Sequence, residues 1–404
     1  MDNLLSPSHP IGAVTLGIIA AVIATILIAP ITRGKIIRFT RRLVQPMPRL
    51  RRMLRIIGDA ILPTWRADAG ETRLDYPLDW RLFELRRMWQ PPLVIVGGLY
   101  LDIYLSPVNA KDLRLGSEYG NLDTVRVECG GSAYFVGKYL FDRYRRRSHV
   151  FSRLGAGDAL SGSLQALLKR ERWPVDIEVT KVDKSQCGVS AHLLQHNGRH
   201  TTLTHKGALE SLRWGQILPG LQRKTRRGGV LYISGYFRTG LHMDLCPTLQ
   251  KLSPKLLICI DHGRFRKEES PTEAAALMGA FEQGLIDVYI CTYPEIRELL
   301  ASVGVEVNEA TSQEEALKRF RSVGKLPPVT VVRADTEAPN SNAYVVFHDR
   351  VEVVQAGGGQ ATPNDHPGQK NKFNAGLVHA LLTGSSNPHL PSIILDATRS
   401  ALSA

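Results

Sequence analysis

The residues of this sequence that could carry out chemistry lie near glycines, where predicted strands give way to helices. Asp102 follows the first apolar strand, Glu295 follows a later one, and the run Asp365 to Gly376 opens the last long predicted helix. Two phosphate-binding patterns are missing, since the glycines at 357–359 do not continue as a Walker sequence and no G-x-G-x-x-G follows the first strand. The five cysteines include no C-x-x-C pair, which argues against a zinc site or a disulfide framework.

The elements that would position these residues alternate from Pro91 onward. Short apolar runs rich in β-branched residues alternate with longer amphipathic stretches, which predicts an α/β fold with a mostly parallel sheet. The predicted strands are Leu93–Gly98, Gly229–Phe237, Leu256–Asp261, Ile286–Thr292 and Val329–Ala334. The predicted helices are Ala133–Tyr144, Leu160–Lys169, Glu273–Gln283, Pro294–Ser302, Gln313–Val323 and Lys372–Thr383. Alternating apolar and polar residues at about 101–128 and 187–205 predict a small β lid over the strand ends.

The order of these features resembles the ribokinase/PfkB family of carbohydrate kinases over roughly residues 91 to 384. The motifs that carry the resemblance are V-x-V-G-G followed by Asp102, a Gly130-Gly131 turn, a hairpin, T-Y-P-E at Thr292 to Glu295, and D-H-P-G-Q-K-N-K-F-N-A-G at Asp365 to Gly376. The string GAGDA at 155–159 comes too early to be the catalytic turn of this family. We therefore interpret it as a structural turn.

The resemblance implies a three-layer α/β sandwich in which a sugar lies under the lid and ATP lies along the carboxyl ends of the strands. By position in the motifs, Asp102, Gly130 and Gly131 would bind the substrate. For Asp102 the alternative is a purely structural role, in which its side chain caps the turn at the end of a strand.

The family binds the transferring phosphoryl group in a glycine-rich turn at the start of the last helix, where backbone N–H groups face the negative charge. By position, Gly368, Gln369 and Lys370 belong to that turn, and Glu295 belongs to the site for magnesium and phosphate. The alternative for Glu295 is an acid in the first turn of a helix, which complements the helix dipole. The last Asp of the family's turn is the base that takes the proton from the sugar hydroxyl.

This sequence departs from the family at several of these positions. Asn371 stands where the catalytic Asp belongs, and an amide has no useful proton affinity near neutral pH. Lys370 replaces a glycine, Phe135 replaces an Asn that contacts the sugar, and only Glu295 is kept from the N-x-x-E motif. Residues 333–335 read Arg-Ala-Asp in place of the T-x-G that follows the nucleotide strand.

These departures favour a sugar-binding or nucleoside-binding module, or a regulatory one, with weak or no phosphotransfer and no cofactor. The alternative is an active sugar or nucleoside kinase with an atypical site, which would use ATP and Mg²⁺.

One apolar run precedes the α/β region. Residues Ile11 to Ile31 carry no charge and are long enough, at 1.5 Å per residue, to cross a bilayer of about 30 Å. Nine Lys and Arg residues follow between Arg33 and Arg55, which places that side of the run in the cytoplasm. We therefore predict an outside N-terminus at 1–10, a transmembrane helix at 11–31, a basic juxtamembrane segment at 32–90 and a cytoplasmic domain at 91–404. A cleaved signal peptide and a buried core helix are the alternatives for the run.

The formal net charge of +13 suggests an anionic partner. The basic residues at 33–55 fit an anionic membrane surface better than nucleic acid, because no helix-turn-helix, RNP motif or interleaved aromatic residues accompany them. The hydrophobic fraction of 43% excludes a wholly disordered chain. A homodimer through the lid is a further expectation, and it rests on the resemblance alone.

Overall fold

The computed structural model describes residues 78, 81–82, 85, 88, 90–108, 124–171, 176–183, 185–195, 200–263, 271–307, 311–323, 326–333, 342–355, 369–383 and 390–402. No helix among them is both long enough and apolar enough to cross a membrane. The predicted transmembrane run at 11–31 and the basic residues at 33–55 lie outside the described residues.

A nine-stranded sheet forms the middle layer, in the order β13-β12-β11-β10-β9-β8-β1-β4-β5. The seven strands from β11 to β5 are parallel, and β12 and β13 add an antiparallel edge. The prediction of a mostly parallel sheet is confirmed. The strands are β1 Leu93–Gly97, β4 His149–Ala156, β5 Asp176–Asp183, β8 Gly229–Ser234, β9 Leu256–Asp261, β10 Val288–Thr292, β11 Val329–Arg333, β12 Ala343–Phe347 and β13 Val351–Val354.

Helices cover both faces of this sheet, which is why its central strands are buried along their whole length. Alternate residues of β1 enter different layers, so that Leu93 and Ile95 pack with α1, α8 and α9, whereas Val94 and Val96 pack with α3 to α7. The helices are α1 Ser132–Tyr144, α2 Ala159–Arg170, α3 Trp214–Thr225, α4 Leu245–Gln250, α5 Pro271–Glu282, α6 Tyr293–Ser302, α7 Gln313–Ser322, α8 Gln369–Thr383 and α9 Leu390–Leu402.

A second sheet of four strands is inserted between the early elements, in the order β3-β2-β6-β7. Its strands are β2 Tyr100–Val108, β3 Thr124–Gly130, β6 Gly188–Gln195 and β7 His200–His205. These are the two segments whose alternation predicted a lid, and we call this sheet the lid. The pairing of β2 with β6 is parallel, although the other two pairings in the sheet are antiparallel.

The packed core begins before Pro91, where the sequence pattern placed the start of the domain. Leu78, Leu82 and Leu85 are buried in the same cluster as β1, and Arg81 forms a buried ion pair with Asp287. Leucines at this spacing lie on one face of a helix. A boundary drawn at the first strand therefore omits side chains that belong to the core.

The turn at 155–159 has a structural role in the described fold. Its first two residues end β4, and Asp158 is the N-cap of α2, where it accepts a hydrogen bond from the Ser161 backbone N–H at 3.0 Å. Such a cap satisfies an N–H group that the helix itself leaves free.

Candidate functional site

Asp102 lies in β2, on the face of the lid that carries polar side chains. It is 2% exposed, and its Oδ2 lies 3.4 Å from Nε2 of His192 and 3.5 Å from the hydroxyl of Tyr104. The strand register explains this group, because Tyr104 lies directly opposite His192 in the β2–β6 pairing. Sequence reasoning missed Tyr104 and His192. The alternation of β6 was visible, but the parallel pairing that places His192 beside Asp102 was not.

The stack of Tyr104 on His192 extends this polar face. The two rings lie 4.7 Å apart, the guanidinium of Arg126 lies 5.2 Å from the Tyr104 ring, and Nδ1 of His192 is 3.1 Å from the Thr202 hydroxyl. Burial, together with the charge of Asp102, raises the pKa of Tyr104, so its hydroxyl stays protonated. The face therefore offers a carboxylate acceptor and several donors, which is the chemistry that recognises hydroxyl groups.

Gly130 and Gly131 allow the start of α1 to approach this face. A Cβ atom on Gly130 would lie 1.9 Å from Cγ of Asp102, and one on Gly131 would lie 2.4 Å from the carbonyl oxygen of Gly98. Gly131 also has a backbone φ of 94°, which residues with a side chain rarely adopt. The structure thus brings Asp102 and Gly130 into contact, and their role in binding a substrate stays a prediction.

Glu295 and Lys370 meet at the carboxyl ends of the central strands. Glu295 lies in the first turn of α6, where its Oε2 accepts the Thr292 backbone N–H at 2.8 Å in a capping box. Its Oε1 accepts a hydrogen bond of 2.6 Å from Nζ of Lys370, in the first turn of α8. Burial alone would raise the pKa of Glu295, but the positive charges of Lys370 and Arg333 lower it below its ordinary value. Glu295 therefore has the structural role that was its alternative, and it also pairs with a cation.

Asp261, the last residue of β9, is the second carboxylate at this edge. It is 1% exposed, and its Oδ1 lies 3.3 Å from Nζ of Lys370. Its neighbour His262 is fully buried, and burial lowers the pKa of this imidazole to about 3. The His262 ring also contacts the Tyr289 hydroxyl. The sequence showed a strand ending in Asp261, but nothing in it indicated a pairing with Lys370.

Asn371, at the predicted position of the catalytic base, is buried in the first turn of α8. Its Oδ1 has no hydrogen-bond partner among the described residues. Arg333, at the end of β11, is 8% exposed, and its guanidinium lies 5.6 Å from the ring of Phe373 in the same helix. Gln369 is the first residue of α8, and Gly368 lies outside the described residues.

A row of close contacts connects the lid residues with this edge of the sheet. A Cβ atom on Gly235 would lie 2.7 Å from the hydroxyl oxygen of Ser132, which follows Gly131. The Gly235 backbone N–H in turn donates to Oδ2 of Asp261 at 3.3 Å. The predicted site residues that the structure describes, together with neighbours that were not predicted, therefore form two clusters. The lid cluster contains Asp102, Tyr104, Gly130, Gly131 and His192, and the strand-end cluster contains Asp261, Glu295, Arg333, Lys370 and Asn371.

The strand-end cluster does not fit magnesium as the resemblance implied. A magnesium ion needs oxygen ligands, but the outward oxygens of Glu295 and Asp261 both face the Lys370 ammonium. Lys370 also adds a side chain at a position where the resemblance implied a glycine, and Asn371 supplies no base.

Comparison with known proteins gives similarity in structure only. No protein-family model and no curated protein sequence matches the chain. Adenosine kinase from Schistosoma mansoni in complex with 2-fluoroadenosine is similar with a TM-score of 0.59 and 13% identity, over 78% of this chain and 95% of that one. Adenosine kinase from Trypanosoma brucei brucei gives a TM-score of 0.58 and 17% identity, over 78% and 98%.

Ribokinase from Cryptococcus neoformans var. grubii in complex with ADP gives a TM-score of 0.58 and 16% identity, over 78% of this chain and 92% of that one. Similarity at such low identity defines an architecture and leaves the chemistry to be argued from the site. The chain has the ribokinase-like α/β fold that is shared by these sugar and nucleoside kinases.

Proposed function

We propose that this protein binds a small polyhydroxy molecule, a sugar or a nucleoside, under its lid and has weak or no phosphotransfer activity. The observation that carries the proposal is the strand-end cluster, where the ammonium of Lys370 contacts both Glu295 and Asp261 beside Asn371. A kinase of this fold needs a base and a place for a metal–nucleotide complex at this edge. Here an amide and the protein's own ammonium stand at those positions, so the protein acts as a binding or regulatory module.

The ligand class follows from the lid cluster and from the neighbours. The buried carboxylate of Asp102, the protonated hydroxyl of Tyr104 and the imidazole of His192 offer acceptors and donors side by side. Similar structures were solved with ribose and ATP, in Arabidopsis thaliana ribokinase, and with 2-fluoroadenosine. Ribose and 2-fluoroadenosine both present neighbouring hydroxyl groups, which such a face would recognise.

The direct test separates binding from turnover in the full-length chain. Sugars and nucleosides are added singly, with and without MgATP, while the melting temperature and the release of ADP are measured. We expect at least one sugar or nucleoside to raise the melting temperature, no effect of MgATP and no ADP above background. Steady ADP release that depends on one sugar or nucleoside would contradict the proposal and establish the alternative, an active ATP-dependent kinase with an atypical site.

That alternative has one observation in its favour. The side chain of Lys370 is 28% exposed, so its ammonium remains open to an anionic ligand at the start of α8. In an active enzyme this ammonium would neutralise phosphate charge in place of the missing glycine. The ADP measurement decides between the two functions.

We also propose that the chain is tethered to a membrane through 11–31, with the basic residues at 33–55 at an anionic, cytoplasmic surface. Support comes from the uncharged run and its basic flank on one side. Carbonate washing of membranes that contain the full chain tests the anchor, because a spanning helix resists extraction. Release into the supernatant would contradict it.

A homodimer through the lid is the last part of the proposal. The lid face opposite Asp102 is apolar, and Val125, Val127 and Leu203 on it are 58%, 43% and 59% exposed. The strand pairings place all three on one face. Apolar side chains this exposed on one sheet face favour a partner surface. Sedimentation over a range of protein concentrations should show a dimer that a Val127→Asp variant weakens.

A further inference from the structure

Two buried carboxylates share one ammonium group at the carboxyl edge of the sheet. Nζ of Lys370 lies 2.6 Å from Oε1 of Glu295 and 3.3 Å from Oδ1 of Asp261. The carboxylate side chains are 7% and 1% exposed, respectively. Charged groups buried to this degree need a counter-ion, because removal from water costs several kcal/mol per charge in a protein.

Each carboxylate is held on its other side by a backbone N–H group from the central layer. Oε2 of Glu295 accepts from Thr292, and Oδ2 of Asp261 accepts from Gly235. One oxygen of each group is thus fixed, and the other faces the same point. Oδ1 of Asp261 has no hydrogen-bond partner among the described residues, and it lies 3.3 Å from the Lys370 ammonium.

The Lys370 ammonium already supplies positive charge in contact with both carboxylates. The guanidinium of Arg333 is a further positive charge, and it helps to lower the pKa of Glu295. A divalent cation would bring two further positive charges and would need the position that the ammonium already holds.

We propose that Lys370 is a built-in counter-ion that takes the place of a divalent cation at this edge, so that the wild-type site is independent of metal. The two carboxylates form a pair of hard oxygen ligands held on different elements, which is what Mg²⁺ or Mn²⁺ would bind if the ammonium were absent. Replacing Lys370 by an uncharged residue should therefore create a divalent cation site that the wild-type chain lacks. The inference does not rest on the proposed ligand, because the metal alone is the probe.

Mn²⁺ binding to the full-length chain, measured by electron paramagnetic resonance of free Mn²⁺, tests this proposal. The wild-type chain should show no saturable site that depends on Glu295, and K370M should gain one site with affinity at least about tenfold tighter than any wild-type binding. The double variant K370M/E295Q should lose that site. K372M is the matched control, since Lys372 is exposed in the same turn of α8 and lies over the ring of Tyr139.

The proposal is overturned if folded K370M gains no Mn²⁺ site, or if the wild-type chain binds one Mn²⁺ that E295Q removes. If the uncompensated carboxylates unfold K370M, the wild-type chain and E295Q still decide the question. On this proposal, these two proteins should bind Mn²⁺ equally weakly. Tighter Mn²⁺ binding by the wild-type chain than by E295Q would show that Lys370 does not exclude the metal.

Discussion

The lid cluster and the strand-end cluster lie on the same side of the fold, but they satisfy their charges in opposite ways. At the lid, Asp102 faces neighbours at 3.4 and 3.5 Å, long contacts that leave the carboxylate able to accept stronger hydrogen bonds from a ligand. At the strand ends, Glu295 holds Lys370 at 2.6 Å and a backbone N–H at 2.8 Å. The strand-end carboxylate is thus held by short contacts within the protein, whereas the lid carboxylate makes only long ones.

In the proposed function, the two clusters separate recognition from chemistry. Binding under the lid would use Asp102, the glycines that let α1 approach it, and the polar face of β6. Transfer of a phosphoryl group would need a base and a metal site at the strand ends, where the described structure has the amide of Asn371 and a Lys370 ammonium in contact with Glu295 and Asp261. Substitutions in each cluster test this contrast.

Gly130→Ala should damage the lid cluster most. The new methyl group would lie 1.9 Å from Cγ of Asp102, so the carboxylate or the start of α1 must move. Overpacking of this kind costs about 1–3 kcal/mol of stability, and ligand binding should be lost with it. Chemical denaturation and calorimetric titration with the best sugar or nucleoside measure the two effects.

Gly162→Ala is the matched control for this substitution. Gly162 lies inside α2, and a Cβ atom there would have no neighbour within 4 Å. Alanine in a helix interior is favoured over glycine by about 0.5–1 kcal/mol, so this variant should be slightly more stable than wild type and should bind normally. Equal behaviour of the two alanine variants would contradict the contact between Asp102 and Gly130.

Asp102→Ala should remove binding while leaving the fold nearly unchanged. The carboxylate makes no close hydrogen bond among the described residues, so its loss should change the melting temperature by only a few degrees. Hydrogen bonds to a charged acceptor are worth about 1.5–3 kcal/mol each, so ligand affinity should fall at least tenfold, which titration calorimetry detects. Asp142→Ala, an exposed position in α1, is the control and should keep full affinity. A binding constant that is unchanged in Asp102→Ala would exclude this carboxylate from the ligand site.

The buried His262, next to Asp261 of the strand-end cluster, should make the free energy of unfolding depend on pH. Burial lowers the pKa of this imidazole from an ordinary value of 6.5 to about 3. Between these values the unfolded chain binds a proton that the folded chain does not, so stability falls as the pH falls below about 6.5. The expected slope for one proton is about 1.4 kcal/mol per pH unit.

Urea unfolding of His262→Gln at several pH values should show a smaller slope between pH 6.5 and 4, even if the variant is less stable throughout because the contact with Tyr289 is lost. The exposed His348 provides the control, and His348→Gln should keep the wild-type slope. If both variants keep that slope, His262 is not a neutral buried group.

The sequence predicted the central layer better than it predicted either cluster. Apolar β-branched runs identified β1, β8, β9, β10 and β11, because a strand buried on both faces is apolar along its whole length. The helices α3, α4 and α9 and the strands β4, β5, β12 and β13 were not predicted. The core leucines 78, 82 and 85 were assigned to a basic segment, because their burial depends on distant elements.

The site residues were located by motif spacing, but their contacts could not be predicted in the same way. The pairing of Lys370 with Glu295 joins positions 75 residues apart, and the proximity of His192 to Asp102 depends on the register of β6 against β2. Spacing along the chain therefore suggested where chemistry would be, and only packing showed which charges neutralise one another.

Asn371→Asp is the substitution from which we expect the least, and it tests the strand-end cluster most sharply. Asn and Asp are nearly isosteric, so the change supplies a carboxylate at the base position without repacking α8. If the missing base were the only defect, turnover should rise about 10²-fold or more. We expect no rise, because Lys370 still bonds to Glu295 and still contacts Asp261, and Arg333 still lies at the end of β11.

The melting temperature in the presence of MgATP provides an independent measurement on the same variant. A ligand at 100 times its Kd stabilises the folded state by about 2.7 kcal/mol, which is easily detected, and we expect no such shift. Adding Lys370→Gly to Asn371→Asp removes the ammonium and supplies a carboxylate at the base position in the same protein. Turnover in the double variant, with none in Asn371→Asp, would show that Lys370 prevents phosphoryl transfer. Turnover in Asn371→Asp itself would show that the strand-end cluster is as open to ligands as the lid.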